Sequence, residues 1–380
     1  MSKIDIEKPW LDESDGTIVL FRPHIPRGAI SGVTNVLNSR WIGQGPRVDE
    51  FESKFNDLVG AKDGIAVGSG TDALHLAYLL AGVQPGDEVI STVFTCTATN
   101  IPLLYSSATP IFADVQRHTM NIDPNDIEHR ITSKTKAISI VHYGGLPCDM
   151  DEITAIARKH GLAVIEDAAH AVGAEYKGVK VGNISDFTMF SFQAIKHITT
   201  GDGGYLTIKN PDLVPLSKRL RWFGIDRQAK TRGIWDNDIV DVGYKYQMTD
   251  IGAALGLAAI DEWDETFSLR RALFNEYLTQ LNGIPNITVV GSDFADRVHA
   301  AWLMTVIVDD PVALQAKLRK NKIESNQVHF RNDRYSIFGS RRNDLPNMDW
   351  LESRYLVLPL HTQMSVSDVQ RICEVIKSGW

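Results

Sequence analysis

The sequence predicts an α/β protein with a large, mostly parallel seven-stranded sheet domain and a smaller C-terminal α/β domain. Seven short strand-like runs alternate with helical patterns between residues 63 and 208. After residue 248 the pattern changes to longer helices with few strands. The chain has 380 residues, of which 43% are hydrophobic, and this length is sufficient for two domains with a large core.

The seven predicted strands are rich in β-branched and aromatic residues. In chain order they are GIAV, DEVIST, PIFADV, KAISIV, LAVIED, FTMFSF and GYLTI. The helical patterns between them include TDALHLAYLLAGV and DMDEITAIARKHG, the second of which ends with a glycine at its expected C′ position. Because strands that alternate with helices form parallel sheets, we expect functional side chains at the carboxyl ends of the strands.

The C-terminal part begins with a stretch that reads as one long helix over residues 249 to 283. Thr249 is its expected cap, and a glycine ends the stretch. A strand, AWLMTVIV, then precedes the helices PVALQAKLRKNK and SVSDVQRICEVIKSG. We therefore predict a large domain over residues 1–248, and a bridging helix with the small domain over residues 249–380.

The composition argues against several classes of protein. The formal net charge of −8 disfavours nucleic acid or an anionic membrane surface as the main partner. The longest apolar run, IGAALGLAAI, is too short to span a bilayer, and the N-terminus lacks the apolar core of a signal peptide. Cys96, Cys148 and Cys373 are scattered and form no CxxC pair. We therefore expect reduced thiols, a cytoplasmic location and no metal site.

The first candidate site is the turn in AVGSGTDALHLAY, where a strand ends and a helix begins near Thr71. Free backbone N–H groups, the helix dipole and the Thr71 hydroxyl would suit a phosphate group. The alternative is a glycine turn with a Thr or Asp cap. A dinucleotide-binding turn is disfavoured, because Asp87 and Glu88 stand before the next strand and not at its end.

The second candidate site is the end of the strand LAVIED, where Asp167 should point into the crevice. A carboxylate placed there needs a cationic partner. The alternative is that Asp167 caps the following AAHAVG segment. His170 lies three residues further on, and its commoner role would be that of a core histidine.

The third candidate site is SFQAIKHITTGDGG, which contains Ser191 and Lys196. Lys196 has no acidic residue within three positions, and a buried amine becomes neutral and nucleophilic. The alternative is a side chain that reaches solvent from the strand end. Together with the phosphate cradle and Asp167, however, this lysine completes the set that pyridoxal phosphate requires. The lysine forms the Schiff base, the aspartate keeps the pyridine nitrogen protonated and the cradle anchors the phosphate.

The motifs GSGT, EDAAH, SFxxxK, GDGG and GYxYxMTD, in this order, resemble those of the DegT-type sugar-nucleotide aminotransferases, a branch of the fold-type I pyridoxal phosphate enzymes. The resemblance extends from WIGQGPRVDEFE near residue 41 to LVLPLHTQMSVSDV near the end. It implies a homodimer with active sites at the subunit interface. It also implies transfer of an amino group, usually from glutamate, onto a keto sugar carried by a nucleoside diphosphate, with pyridoxamine phosphate as an intermediate.

The resemblance also assigns roles to individual residues. Lys196 would be the catalytic Schiff-base lysine, Asp167 the partner of the pyridinium, and His170 a neighbour of the cofactor's ring oxygen. The implied cofactor-binding residues are Gly70, Thr71, Asp72, Cys96, Asp167, His170, Ser191, Lys196 and Lys245.

Two of these positions depart from the commonest family pattern. Cys96 stands where relatives usually stack an aromatic ring on the cofactor, and a thiol covers less of a ring face. Lys245 stands where many relatives have an asparagine that reaches across the dimer to the phosphate. A lysine can make that contact as a point charge.

Substrate-binding residues are expected in two further segments. The segment QVHFRNDRYSIFGSRR lies where relatives close the small domain over the substrate, and His329 with one or both of Arg331 and Arg334 is expected to contact the sugar or its diphosphate. Trp41 and Gln44 in RWIGQGPRV are expected to line the sugar pocket. The alternatives are a solvated basic loop for the arginines and a core position for the tryptophan.

Three other functions are open to this fold. One is a sugar dehydratase that uses the same cofactor, in which a histidine replaces the lysine, and the presence of Lys196 argues against it. A second is an aminotransferase that acts on a cyclic ketone without a nucleotide. The third is a non-catalytic ligand sensor, which Lys196 and Asp167 together disfavour.

Overall fold

A computed structural model describes residues 16–227, 229, 233–236 and 238–380. The first fifteen residues of the predicted large domain therefore lie outside the described residues. The strands, in chain order, are β1 (Gly64–Val67), β2 (Glu88–Thr92), β3 (Phe94–Thr95), β4 (Thr109–Ala113), β5 (Thr135–Val141), β6 (Ala163–Asp167), β7 (Glu175–Tyr176), β8 (Val179–Lys180), β9 (Phe187–Ser191), β10 (Gly204–Ile208), β11 (Ile287–Val289), β12 (Arg297–Val298), β13 (Met304–Val308), β14 (Phe330–Arg331) and β15 (Tyr355–Leu358).

The helices of the described residues flank these strands. They are α1 (Ala29–Ser39), α2 (Pro46–Val59), α3 (Gly70–Leu80), α4 (Thr97–Tyr105), α5 (Pro124–His129), α6 (Met150–His160), α7 (Val214–Leu220), α8 (Asp250–Asp261), α9 (Trp263–Leu281), α10 (Pro311–Lys320), α11 (Pro346–Leu351) and α12 (Val366–Lys377). In this part of the chain, no helix combines the length and the apolar character that a bilayer crossing needs.

The large sheet contains all seven strands that the sequence predicts. Their order is β1-β10-β9-β6-β5-β2-β4, and only β10 runs antiparallel to its two neighbours. The predicted mostly parallel, seven-stranded α/β fold is therefore confirmed. Since β1, β6 and β9 point the same way, their carboxyl ends share one edge of the sheet.

The predicted single helix over residues 249 to 283 is wrong, because two helices occupy this stretch. Helix α8 ends at Asp261 and α9 begins at Trp263, while Glu262 between them has φ −105° and ψ 8°. The Glu262 carboxylate accepts hydrogen bonds from Arg27 and His24, which tie the junction to the N-terminal segment. The expected Thr249 cap is present, since its hydroxyl accepts the N–H of Gly252 at 3.2 Å.

A second core lies in the C-terminal part of the chain. It is built on the antiparallel sheet β11-β13-β15, with α9, α10 and α12 packed against it. Helix α8 instead contributes Ala253 and Leu257 to the core around α2 of the large domain. Strand β14 crosses back to pair with β3, so that the segment around His329 reaches the large domain. The two parts of the chain therefore meet close to the shared edge of the sheet.

Candidate active site

The start of α3 forms the first part of the site. Ser69 caps this helix, because its hydroxyl accepts the N–H of Asp72 at 3.0 Å. The cap is therefore Ser69, and not the Thr or Asp that the sequence suggested as an alternative. A Cβ atom at Gly70 would lie 3.2 Å from the Cβ of Ser191. Glycine at this position lets the helix approach β9, and the Ser191 hydroxyl consequently lies beside the turn.

Asp72 and Thr71 occupy the first turn of α3 and are both partly exposed. Burial raises the pKa of Asp72 to about 6, although hydrogen bonds from Ser69 oppose this rise. The N-terminal end of a helix favours anions, so the turn combines free N–H groups with a neighbouring hydroxyl from Ser191. This is a suitable environment for a phosphate group.

Asp167 is held by two donors at the end of β6. Its Oδ2 accepts the Thr99 hydroxyl at 2.7 Å, and its Oδ1 accepts the N–H of Ala169 at 3.0 Å. Burial raises the pKa of the Asp167 carboxyl, whereas the Thr99 hydrogen bond and the charge of Lys196 lower it. The carboxylate is thus oriented by the protein and lies within electrostatic range of the predicted catalytic lysine.

Lys196 lies in the connection between β9 and β10, where it is partly buried. Its Nζ atom is 3.7 Å from the centroid of the Trp302 ring. Burial lowers the pKa of Lys196 to about 8, and the charges of Asp167 and Cys96 oppose this shift. An amine with this pKa exists in both protonation states near neutral pH, as a nucleophile and proton carrier requires.

Three parallel aromatic rings lie beside Lys196. The ring of His170 stacks on Trp302 at 3.7 Å with an interplanar angle of 12°, and His329 stacks on His170 at 5.2 Å. Burial lowers the pKa of His170 and lowers that of His329 to about 3, so both imidazoles are neutral at pH 7. The Nδ1 atom of His170 accepts the N–H of Gly144 at 3.3 Å, which leaves Nε2 to carry the proton.

Cys96 and Lys245 have different positions relative to this group. Cys96 is exposed directly before α4 and interacts electrostatically with Lys196. Lys245 instead packs on Trp222, with its Nζ 3.6 Å from the ring centroid. Within one chain the structure thus brings Cys96 to Lys196 and places Lys245 against the ring of Trp222.

Trp41 and Gln44 lie together in a pocket of about 440 Å³ that Trp222 and Arg227 also line. The Gln44 side-chain oxygen accepts a hydrogen bond from Arg227 at 3.0 Å. Lys196 does not line this pocket, so the pocket does not bring these two predicted substrate residues together with the lysine of the same chain.

Arg331 is buried and bound to acidic side chains. Its Nε and Nη2 atoms donate to the two carboxylate oxygens of Asp333 at 2.6 and 2.7 Å, and Nη1 donates to Asp349. All three guanidinium nitrogens thus donate to Asp333 of the same loop or to Asp349 of α11. This geometry does not support the predicted substrate contact. Arg334, three residues on, is exposed over the ring of Phe330.

Sequence reasoning missed Trp302 and Thr99. Trp302 belongs to the run AWLMTVIV, whose apolar character indicates only a buried strand. Thr99 lies in the polar segment CTATN, which has no recognisable spacing relative to Asp167. Neither residue belongs to a recognisable sequence motif, because its role depends on a contact with a residue at least 68 positions away.

The arrangement fits pyridoxal phosphate, the cofactor that the sequence predicts. The N–H groups of α3 and the Ser191 hydroxyl suit its phosphate, Asp167 suits its pyridine nitrogen and Lys196 suits its aldehyde. The Nε2 atom of His329 is buried and has no hydrogen-bond partner among the described residues, so it is available to a bound group. Within the same residues, no cluster of three His, Cys, Asp or Glu side chains could hold a metal ion.

The chain matches the DegT/DnrJ/EryC1/StrS aminotransferase family over residues 24–377. It is 38% identical to the spore coat polysaccharide biosynthesis protein SpsC of Bacillus subtilis, over 93% of this chain and 95% of that protein. It is also 38% identical to the uncharacterized protein MJ1066 of Methanocaldococcus jannaschii, over 94% of this chain and 96% of that protein.

Solved structures of similar proteins extend these comparisons. The sugar aminotransferase CalS13 from Micromonospora echinospora superimposes with a TM-score of 0.91 and 32% identity, over 96% of this chain and all of that one. The PMP form of the putative sugar aminotransferase Spr1654 from Streptococcus pneumoniae superimposes with a TM-score of 0.90 and 30% identity, over 95% of this chain and 98% of that one. This chain therefore belongs to the DegT/DnrJ/EryC1/StrS aminotransferase family, and it is a pyridoxal phosphate-dependent sugar aminotransferase.

Proposed function

We propose that Lys196 is the catalytic residue, and that the enzyme moves an amino group from glutamate onto a nucleotide-linked keto sugar in deoxyamino-sugar biosynthesis. We further propose that it works in the cytoplasm as a homodimer with shared active sites. The observation that carries the proposal is the state of the Lys196 amine. Burial lowers its pKa to about 8, and the amine lies within electrostatic range of Asp167.

The protein's own groups have separate tasks in this reaction. Pyridoxal phosphate supplies the electron sink for the carbon that loses its proton. The N–H groups at Gly70 and Thr71 would hold its phosphate together with the Ser191 hydroxyl, because the N–H of Asp72 is already used by the Ser69 cap. Lys196 takes and returns the proton, because its pKa lies close to physiological pH.

The pocket at Trp41 supports a nucleotide-linked acceptor. It combines the indoles of Trp41 and Trp222 with the cationic side chains of Lys218 and Arg227. Aromatic faces suit a nucleobase, and arginine and lysine side chains suit a diphosphate. Lys196 does not line the pocket, so a nucleotide bound there would serve the lysine of the partner subunit.

Exposed apolar side chains support the homodimer. Trp41 and Phe223 are large and exposed, and both lie beside Trp222, Trp41 in the pocket that Trp222 also lines and Phe223 against its ring. Exposed apolar patches of this kind mark interfaces. Lys245 packs on Trp222 next to Phe223, at the position where the family resemblance implies a contact across the dimer. The same surface would therefore carry the interface and complete the partner's phosphate site.

The variant Lys196→Ala tests the catalytic assignment. Transfer should fall by several powers of ten, because the covalent route disappears. Borohydride reduction of the wild-type enzyme followed by peptide mass spectrometry should find the cofactor on Lys196. Lys177→Ala is the matched control, since Lys177 is an exposed lysine paired with Asp151, and it should transfer normally. Wild-type turnover in Lys196→Ala would refute the proposal.

The acceptor and donor are tested with a panel of ketones and amino acids. A nucleotide-linked keto sugar should be aminated while glutamate becomes 2-oxoglutarate. Amination of only free cyclic ketones would overturn the nucleotide assignment. Loss of water without consumption of glutamate would identify a dehydratase.

A further inference from the structure

The indole of Trp302 contacts both the side chain of Lys196 and the backbone of the preceding residue. The Nζ atom lies 3.7 Å from the ring centroid, and the indole N–H donates to the carbonyl of Ile195 at 3.3 Å. Trp302 is only 2% exposed. A single side chain therefore binds both the ammonium group and the backbone that carries it.

Trp302 is itself fixed from several sides. Its backbone N–H donates to the carbonyl of Gly144 at 3.1 Å, and that of Leu303 donates to the same oxygen at 3.0 Å. The ring stacks with His170 at 3.7 Å and with Phe21 at 5.8 Å. The indole ring is therefore held in one position, and the flexible Lys196 side chain has to adopt the rotamer that places its amine on the ring.

We propose that Trp302 is a positioning residue whose ring holds the charged amine of Lys196 in the site whenever this lysine is not joined to the cofactor. The inference rests on the proposed catalytic role of Lys196. The face of an indole carries negative charge density and attracts an ammonium group, most strongly where water is excluded. Without such a holding surface, a free four-carbon side chain would sample many rotamers and lose its alignment with Asp167.

The other groups that interact with the lysine cannot replace this ring. Those that act on the Lys196 charge are Asp167, Cys96, His170, His197 and His329. The three imidazoles are kept neutral by burial and offer the ammonium no counter-charge. The Asp167 carboxylate is already engaged by Thr99 and Ala169, and it is required for the pyridine nitrogen.

Fluorinated tryptophans at position 302 test this inference, because fluorine weakens the charge on the ring face and preserves its shape. The full chain, freed of cofactor, would be labelled with limiting acetic anhydride at a series of pH values. Mass spectrometry of the Lys196 peptide then yields the pKa of its amine. The pKa should fall stepwise with the number of fluorine atoms, by up to about one unit.

Trp350 provides the matched control, since its ring holds the guanidinium groups of Arg117 and Arg354 and, among the described residues, no lysine. The same substitutions at Trp350 should leave the pKa of Lys196 unchanged. An unchanged or increased pKa in the Trp302 series would overturn the inference. Because this titration needs neither cofactor nor turnover, its failure is distinguishable from failure of the Lys196→Ala test.

Discussion

A buried carboxylate depends on the donors around it, and Asp167 has a short chain of them. The Thr99 hydroxyl donates to Asp167, and it accepts a hydrogen bond from the Thr95 hydroxyl at 2.8 Å, since its own proton is already used. The Tyr78 hydroxyl donates to the Thr99 carbonyl at 3.0 Å. Asp167 is therefore oriented by the fold before any ligand binds.

The variant Thr99→Val should weaken the binding of pyridoxal phosphate. Valine has nearly the same shape, but it leaves Oδ2 of Asp167 without its donor in a buried site. We expect the dissociation constant to rise by about tenfold, which equals about 1.4 kcal/mol. A spectroscopic titration of the cofactor measures this change. Thr97→Val is the control, because Thr97 is partly exposed on the same helix, and equal affinities of the two variants would contradict the expectation.

Among the secondary-structure elements, α3 couples the site to stability through Asp72. Folding raises the pKa of this carboxyl from 3.8 to about 6, so the folded state binds the proton more tightly than the unfolded state. The contribution of this carboxyl to the stability of the folded state is thus greatest below pH 3.8. It is lost as the pH rises through about 6.

The variant Asp72→Asn should therefore stabilise the cofactor-free chain at pH 8 and have little effect at pH 3.5. Urea denaturation midpoints at the two pH values measure the difference. Asp49→Asn is the matched control, because Asp49 lies exposed in the first turn of α2. There the charge interacts favourably with the helix dipole, and its loss should bring no stabilisation at pH 8. An equal effect of Asp72→Asn at both pH values would refute the argument.

The junction between α8 and α9 depends on Glu262, which is the acceptor for Arg27 and His24. Glu262→Ala should lower the free energy of unfolding by about 1 to 3 kcal/mol, because it removes the acceptor of three hydrogen bonds, a carboxylate whose own side chain is only 11% exposed. Glu265→Ala is the control. Glu265 pairs with the same Arg27, but it is 69% exposed and should cost less than about 1 kcal/mol. Urea denaturation measures the free energy of unfolding of both variants. Equal decreases would show that Glu262 does not stabilise the junction between α8 and α9.

At the scale of the whole molecule, we propose that a complete active site needs two subunits. Lys245 packs on Trp222, which lines the pocket at Trp41, whereas Lys196 of the same chain does not line that pocket. If Lys245 binds the phosphate in the partner's site, a defect at Lys245 and a defect at Lys196 affect different active sites of a mixed dimer.

Mixing Lys196→Ala with Lys245→Ala should therefore restore activity that neither variant has alone at limiting cofactor. Random reassociation makes half of the dimers mixed, and each mixed dimer has one intact site, so we expect about a quarter of the wild-type rate. The assay follows 2-oxoglutarate after subunit exchange in mild denaturant. A mixture no more active than its two components would show that Lys245 does not act across the interface.

The sequence by itself determined the seven strands of the large sheet, because each strand has a local pattern of β-branched residues and a turn at its end. It also led to Asp167, Ser191 and Lys196, since the carboxyl ends of parallel strands meet at one edge. The strand order and the antiparallel β10 came only from the structure.

Only the tertiary structure decided the break at Glu262, the ion pairs of Arg331 and the contact between Trp302 and Lys196. Glu262 is bound by residues more than two hundred positions away, and Trp302 meets a lysine 106 positions earlier. Local patterns reflect backbone preferences over a few residues, whereas such contacts arise when burial brings distant polar and aromatic groups together. The sequence therefore predicted which groups carry the chemistry, and folding determined which neighbours hold them in place.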